Sequence, residues 1–189
     1  MRLIILFIAT ILALAFDTGF SGLFTLKSVG GLTPLAMPCL VIFVALFAPE
    51  ALALMSALIL GIFVDLSPGY GELANGAHLI GPHALGYFIT TLLVLRIRNV
   101  VFRRRIITVV LFSAGCVLVN GSVEALIFIT RGLMPWTPPI TGGGFTAFAK
   151  LLGTATYTGL LAVPMGWCLL STIGLWGFHS SNGRRATWR

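Results

Sequence analysis

The sequence predicts an all-α integral membrane protein with about six transmembrane helices, and three observations lead to this prediction. Of the 189 residues, 58% are hydrophobic and only 9% are charged, whereas a soluble domain typically carries about 25% charged residues. The apolar residues form runs near the length of about 20 residues that a membrane-spanning helix requires. Basic residues are concentrated between these runs. We therefore expect one transmembrane domain over residues 1–176 and a basic cytoplasmic tail over residues 177–189.

The six spans follow from the apolar runs taken in chain order. The first run begins after Arg2 and resembles a signal peptide, but apolar character resumes beyond Asp17, so we expect an uncleaved span. Asp17 either lies near the outer headgroups or faces a neighbouring helix. The second run is short and contains Pro38, and Pro49 with Glu50 marks a tight turn into the third. The predicted spans are residues 3–24, 34–47, 51–66, 78–95, 106–129 and 145–175.

The net charge is +7, and the positions of the basic residues relative to the spans indicate an orientation in the membrane. We do not expect nucleic-acid binding, because no aromatic–basic groove pattern is present. With both termini in the cytoplasm, most basic residues lie on the inner side of the membrane, as the positive-inside rule requires, and they can meet anionic lipid. The densest basic cluster follows the fourth span and comprises Arg96, Arg98, Arg103, Arg104 and Arg105.

The hairpin formed by the third and fourth spans contains the main candidate site. Its first apolar run ends on Asp65, and Gly61 lies one turn earlier on the same helix face. The second run opens with His83, Gly86 and Tyr87, where small residues permit close helix packing. We interpret these five residues as a packed hairpin whose carboxylate holds the outer loop or a partner. The alternative is a carboxylate that is solvated at the membrane surface.

Two further polar residues, Asn120 and Glu124, lie one turn apart in the fifth span. An acid inside a membrane is by default a functional candidate, so Glu124 could serve a proton relay, a partner contact or a cavity lining. A structural pair with Arg131 or an interhelix hydrogen bond is the alternative. Glu124 is the most deeply placed carboxylate by sequence position.

The sequence contains no pattern that predicts a cofactor, a metal site or a catalytic set. His78 and Glu72 add ligand chemistry to Asp65 and His83, but their spacing matches no zinc signature. We also find no phosphate-binding loop, nucleophile motif or HExxH. The three cysteines lie far apart inside apolar runs, so we expect all of them to be buried small hydrophobes. They are Cys39, Cys116 and Cys168.

The hairpin resembles the bacterial rod shape-determining protein family MreD. The resemblance rests on chain size, the six-span pattern and about 45 residues that include Gly61-Ile-Phe-Val-Asp65-Leu, His83-Ala-Leu-Gly86-Tyr87 and the arginines that follow. The loop between Asp65 and His83 and the Pro-rich stretch after Arg131 depart from the family pattern. The resemblance implies a non-enzymatic, multi-pass component of the cell-wall elongation complex in the bacterial inner (cytoplasmic) membrane. Its partners would be an MreC-like membrane protein and, through it, a glycosyltransferase and a transpeptidase.

Two other functions remain open at this stage. The MreD family is similar in fold to the substrate-binding membrane subunits of energy-coupling-factor vitamin transporters, so such a subunit is the main alternative. Four polar residues near one membrane face would then bind a small molecule, namely His78, His83, Glu72 and Asp65. An intramembrane enzyme that uses Glu124 and Asp65 is the third hypothesis. The sequence does not predict the oligomeric state.

Overall fold

The protein is a bundle of helices. A computed structural model describes residues 3–26, 31–67, 80–98, 106–132 and 144–177. These residues form helices and turns, apart from one isolated antiparallel bridge between Leu26 and Leu32, and the all-α prediction is confirmed. The six α-helices are α1 Leu3–Ala15, α2 Met37–Phe47, α3 Glu50–Asp65, α4 Pro82–Ile97, α5 Ile106–Gly132 and α6 Gly144–Ser171.

The helix boundaries agree best with the prediction where the apolar runs are uninterrupted. α3 and α5 begin within one residue of their predicted starts. α4 begins at Pro82, four residues later than predicted, because Gly81 has a φ of 129° that a helix cannot accommodate. The first predicted span is helical over residues 3–24, but it changes from α-helix to a π-helical turn at Phe16 and to a 3-10 turn at Ser21.

The short helix α2 forms the centre of the bundle. It has 11 residues, and every residue from 37 to 46 is buried. It contacts all five other α-helices. α3, α4, α5 and α6 pack in that order, each against the next along the chain. Because α2 is surrounded, its apolar side chains form most of the core.

After α6, the chain turns back and places a tryptophan in the core. Trp176 is 2% exposed, and its ring lies edge-on to that of Phe43 on α2, with centroids 5.0 Å apart. Its indole N–H donates to the hydroxyl of Thr172 at 3.3 Å. The predicted domain boundary at residue 176 therefore falls directly after a core side chain, while residues 178–189 of the predicted tail lie outside the described residues.

The outer surface of the bundle is strongly apolar. Two helical segments, Leu3–Phe20 and Ile106–Ile127, are long and apolar enough to cross a membrane. On α1, large side chains at successive turns are 49–75% exposed. Contiguous exposed apolar surface of this kind marks an interaction with membrane or protein. The exposed α1 side chains are Leu3, Ile4, Phe7, Ile8, Ile11 and Leu12.

Candidate functional site

Asp65, the last residue of α3, binds the first turn of α4. Its carboxylate accepts hydrogen bonds from the backbone N–H groups of Gly81 (2.8 Å), His83 (3.2 Å) and Ala84 (3.3 Å). The intervening residue, Pro82, has no N–H group to satisfy. One carboxylate thus caps the start of α4, where four backbone N–H groups normally lack partners and where negative charge is favoured.

The carboxylate also binds an imidazole. Nδ1 of His83 lies 2.8 Å from Oδ1 of Asp65, and both side chains are buried, with Asp65 0% exposed. The interpretation of Asp65 as a carboxylate solvated at the membrane surface is therefore wrong. The His83 ring lies edge-on to that of Tyr87, with centroids 6.2 Å apart, so the two side chains share a face as their spacing predicts.

The two glycines of the site lie at close helix contacts. A Cβ atom built on Gly61 would lie 2.6 Å from the backbone nitrogen of Ala84, so α3 approaches α4 at a distance that excludes any side chain here. A Cβ atom on Gly86 would lie 2.9 Å from Cα of Asn120 on α5. α4 is therefore held on one side against α3 and on another against α5, in the manner of small-residue contacts between membrane helices.

Asn120 belongs to this packed region, whereas Glu124 does not share its burial. Asn120 is 7% exposed, and its side-chain oxygen faces Gly86 and has no hydrogen-bond partner among the described residues. Glu124 is partly exposed, and the carboxylates in the interior of the described bundle are those of Asp17 and Asp65. Burial in the bundle and depth along a span are different properties, because position along a span does not show which way a side chain points, and the depth of Glu124 stays a prediction. Arg131, its predicted partner, lies in the last turn of α5, but its side chain is not among those that the structure describes.

Two of the arginines predicted to set the topology, Arg96 and Arg98, lie at the far end of α4 from Asp65. Arg96 is in the last turn of α4 and exposed. Arg98 follows the helix and donates from one guanidinium nitrogen to the backbone oxygens of Ala45 (3.3 Å) and Ala48 (2.8 Å), at the end of α2. Sequence reasoning missed this contact. Arg103, Arg104 and Arg105 lie outside the described ranges.

Sequence reasoning also left Asp17 undecided. In the structure Asp17 faces a neighbouring helix: it is 6% exposed and accepts hydrogen bonds from the backbone N–H groups of Ala36 (2.6 Å) and Met37 (3.0 Å), at the start of α2. The sequence signal that could have placed Asp17 at the start of α2 is its similarity in sequence context to Asp65. In both cases an acid ends one apolar run, and a proline stands in the first turn of the next helix.

One of the three cysteines departs from the prediction. Cys39 and Cys116 are buried in the core, but Cys168 is exposed. Cys168 lies on α6, which has large apolar side chains exposed at Leu160 and Trp167. Hydrophobic character in the sequence does not distinguish an interior face from an exposed apolar face.

The described residues provide packing and helix capping, and they contain no metal site. Among them, no group of three or more His, Cys, Asp or Glu residues could hold a metal ion; His78 and Glu72 are outside this part. An apolar groove of about 220 Å³ lies between α1 and α3. Its two hydroxyls, on Thr10 and Ser56, each donate to a carbonyl of their own helix.

Comparison with known proteins finds no relative of this chain. No family model, curated protein or solved structure matches the chain. A functional proposal therefore has to rest on the residues and contacts described above.

Proposed function

We propose that the protein is an integral component of a bacterial cytoplasmic membrane that acts as a non-enzymatic scaffold in cell-wall elongation, in the manner of the MreD family. The observation that carries the proposal is the hairpin of α3 and α4. The residues on which the resemblance rests lie together there: Gly61 at the closest helix contact, and Asp65 bonded to His83 and to the start of α4. These contacts join α3 to α4, and they support a role in assembly.

The membrane placement is supported by the surface and by the ends of α4. Large apolar side chains are exposed on five of the α-helices, α2 being the buried exception. α4 begins at the carboxylate of Asp65 and ends beside Arg96 and Arg98, so acid and arginines are about 24 Å apart along the helix axis. This separation agrees with an outer acid and an inner basic cluster, and with both termini in the cytoplasm.

The partner in this proposal is an MreC-like membrane protein that binds through transmembrane helices. Through it the scaffold would reach a glycosyltransferase and a transpeptidase of the elongation complex. The test is a pull-down of the tagged protein in mild detergent from its native host, with the co-purified proteins identified by mass spectrometry. The proposal predicts recovery of an MreC-like protein, and depletion of the scaffold should change cell shape.

A matched pair of variants relates the pull-down to the hairpin. Gly61→Leu forces α3 and α4 apart, because the space for a side chain is occupied by the backbone of Ala84. Gly115→Ala adds a methyl group on α5 where no atom lies within 4 Å. The proposal predicts that Gly61→Leu loses the partner while Gly115→Ala retains it. Unchanged cell shape on depletion, with no MreC-like protein recovered, would contradict it.

The vitamin-transporter alternative receives less support from the contacts. Two of the polar side chains proposed to bind its ligand, Asp65 and His83, are bonded to each other and to the start of α4. The groove between α1 and α3 is lined by apolar side chains and two internally bonded hydroxyls. Native mass spectrometry of the purified protein separates the two functions, since a bound vitamin-like molecule would favour the transporter.

A further inference from the structure

α2 is shorter than the hydrocarbon core of a membrane is thick, although it lies beside helices that are longer than that core. Its 11 residues extend for about 16 Å, whereas α5 and α6, with 27 and 28 residues, extend for about 40 Å. The hydrocarbon core of a bilayer is about 30 Å thick. If the bundle spans the membrane, α2 cannot reach both membrane surfaces, and wherever one of its ends lies in the hydrocarbon the protein must supply the partners of its terminal backbone groups.

At the start of α2, the partner is Asp17. Its two oxygens accept hydrogen bonds from the N–H groups of Ala36 and Met37. Pro38 has no N–H group, and the N–H of Cys39 donates to the carbonyl of Ala36 at 3.1 Å. The first N–H groups of α2 are therefore satisfied, and a carboxylate alone accounts for two of them.

At the end of α2, the partner is Arg98. Its guanidinium donates to the carbonyls of Ala45 and Ala48, and the N–H of Ala48 donates to the carbonyl of Val44 at 2.8 Å. The donor comes from the end of α4, 50 and 53 residues further along the chain. An acid at the positive end of a helix and a base at its negative end both have the favourable sign.

We propose that Asp17 and Arg98 form a charge clamp that holds α2 at a fixed position inside the membrane. Arg98 is then a positioning residue for the central helix as well as a contributor to topology, and Asp17 is its counterpart at the outer end. The inference rests on the membrane placement proposed above and is independent of the partner. Each side chain acts on its own end of α2, because the two ends are about 16 Å apart.

The experiment compares the thermal unfolding midpoint of purified variants in detergent. Arg98→Ala and Asp17→Ala should each lower the midpoint by about 5 to 10 °C, because each leaves helix-end groups without charged partners. The conservative variants Arg98→Lys and Asp17→Asn should lose about half as much. Arg96→Ala is the matched control, because Arg96 is an exposed arginine two residues earlier, and its midpoint should change by less than about 2 °C.

A double variant separates the clamp from simple charge balance. Asp17→Arg combined with Arg98→Asp keeps the net charge but gives both ends of α2 the wrong sign. The clamp predicts a midpoint lower than that of either alanine variant. Recovery of the wild-type midpoint by this double variant would overturn the clamp, and so would equal midpoints for Arg98→Ala and Arg96→Ala.

Two control measurements distinguish failure of the clamp from failure of the membrane placement. Reporter fusions at the C-terminus should show the same membrane orientation for Arg98→Ala and wild type, because the remaining arginines still set the orientation. An inverted orientation would show that Arg98 determines orientation, and it would overturn the role of Arg98 in the clamp. Release of the unmodified protein from cells without detergent would overturn the membrane placement itself.

Discussion

Replacing Asp65 tests the central contact of the hairpin. Asp65→Ala removes the acceptor of four hydrogen bonds, from the N–H groups of Gly81, His83 and Ala84 and from the His83 ring. Hydrogen bonds to a charged group are worth about 1.5–3 kcal/mol each, but these four share one carboxylate and are not additive. Removing one partner of a buried pair costs about 3–5 kcal/mol. We expect a loss of this size in the free energy of unfolding.

Asp65→Asn is the graded companion of this variant. The amide retains one acceptor oxygen for the start of α4 but loses the second oxygen and the charge, so we expect a loss of about 1–2 kcal/mol. The assay is equilibrium unfolding in mixed micelles, followed by fluorescence of the four tryptophans. A double-mutant cycle with His83→Phe should give a coupling energy of about 0.5–3 kcal/mol. If both Asp65 variants unfold within about 0.5 kcal/mol of wild type, the capping argument is refuted.

Three further substitutions test the packing by the same unfolding assay. Gly86→Ala should lower the free energy of unfolding by about 1–3 kcal/mol, because the added methyl group meets Asn120. Adding Asn120→Ala to this variant should restore part of the loss. If it restores nothing, the strain lies elsewhere. Trp176→Ala should lower the free energy of unfolding by about 3–5 kcal/mol, because the indole is buried. Trp167→Ala, at an exposed tryptophan, should lower it much less. Equal losses would contradict the burial of Trp176. Thr91→Val should stabilise by about 1 kcal/mol, because the buried Thr91 hydroxyl has no partner among the described residues. A loss of stability would show that it has one.

The helices were predictable from local sequence patterns, because apolar periodicity and turn residues depend on only a few neighbouring residues. α3 and α5 start within a residue of the prediction, and the spacing of Gly61 and Asp65 placed both on one helix face. The Gly61 contact with α4 also follows a general property of glycine in membrane helices. These features depend on residues close together in the chain.

Contacts between distant residues were not predictable in the same way. Nothing in the run that forms α2 distinguishes a central buried helix from one at the edge, because all its residues are apolar in either case. The contact of Arg98 with Ala45 joins residues 53 apart. Arginines after a span predict orientation, but the guanidinium is long enough to reach a second helix, and only the packing of α4 against α2 shows which one it meets.

The different chain separations of the two α2 contacts have a consequence for biosynthesis. Asp17 precedes its donors by 19 and 20 residues, so this contact can form as soon as α2 leaves the translating ribosome. Arg98 is synthesised 50 residues after Ala48. Until then the carboxyl end of the nascent α2 lacks the guanidinium that donates to it in the folded protein. The start of α2 can thus be capped early, whereas its end is capped only after α4 has been synthesised.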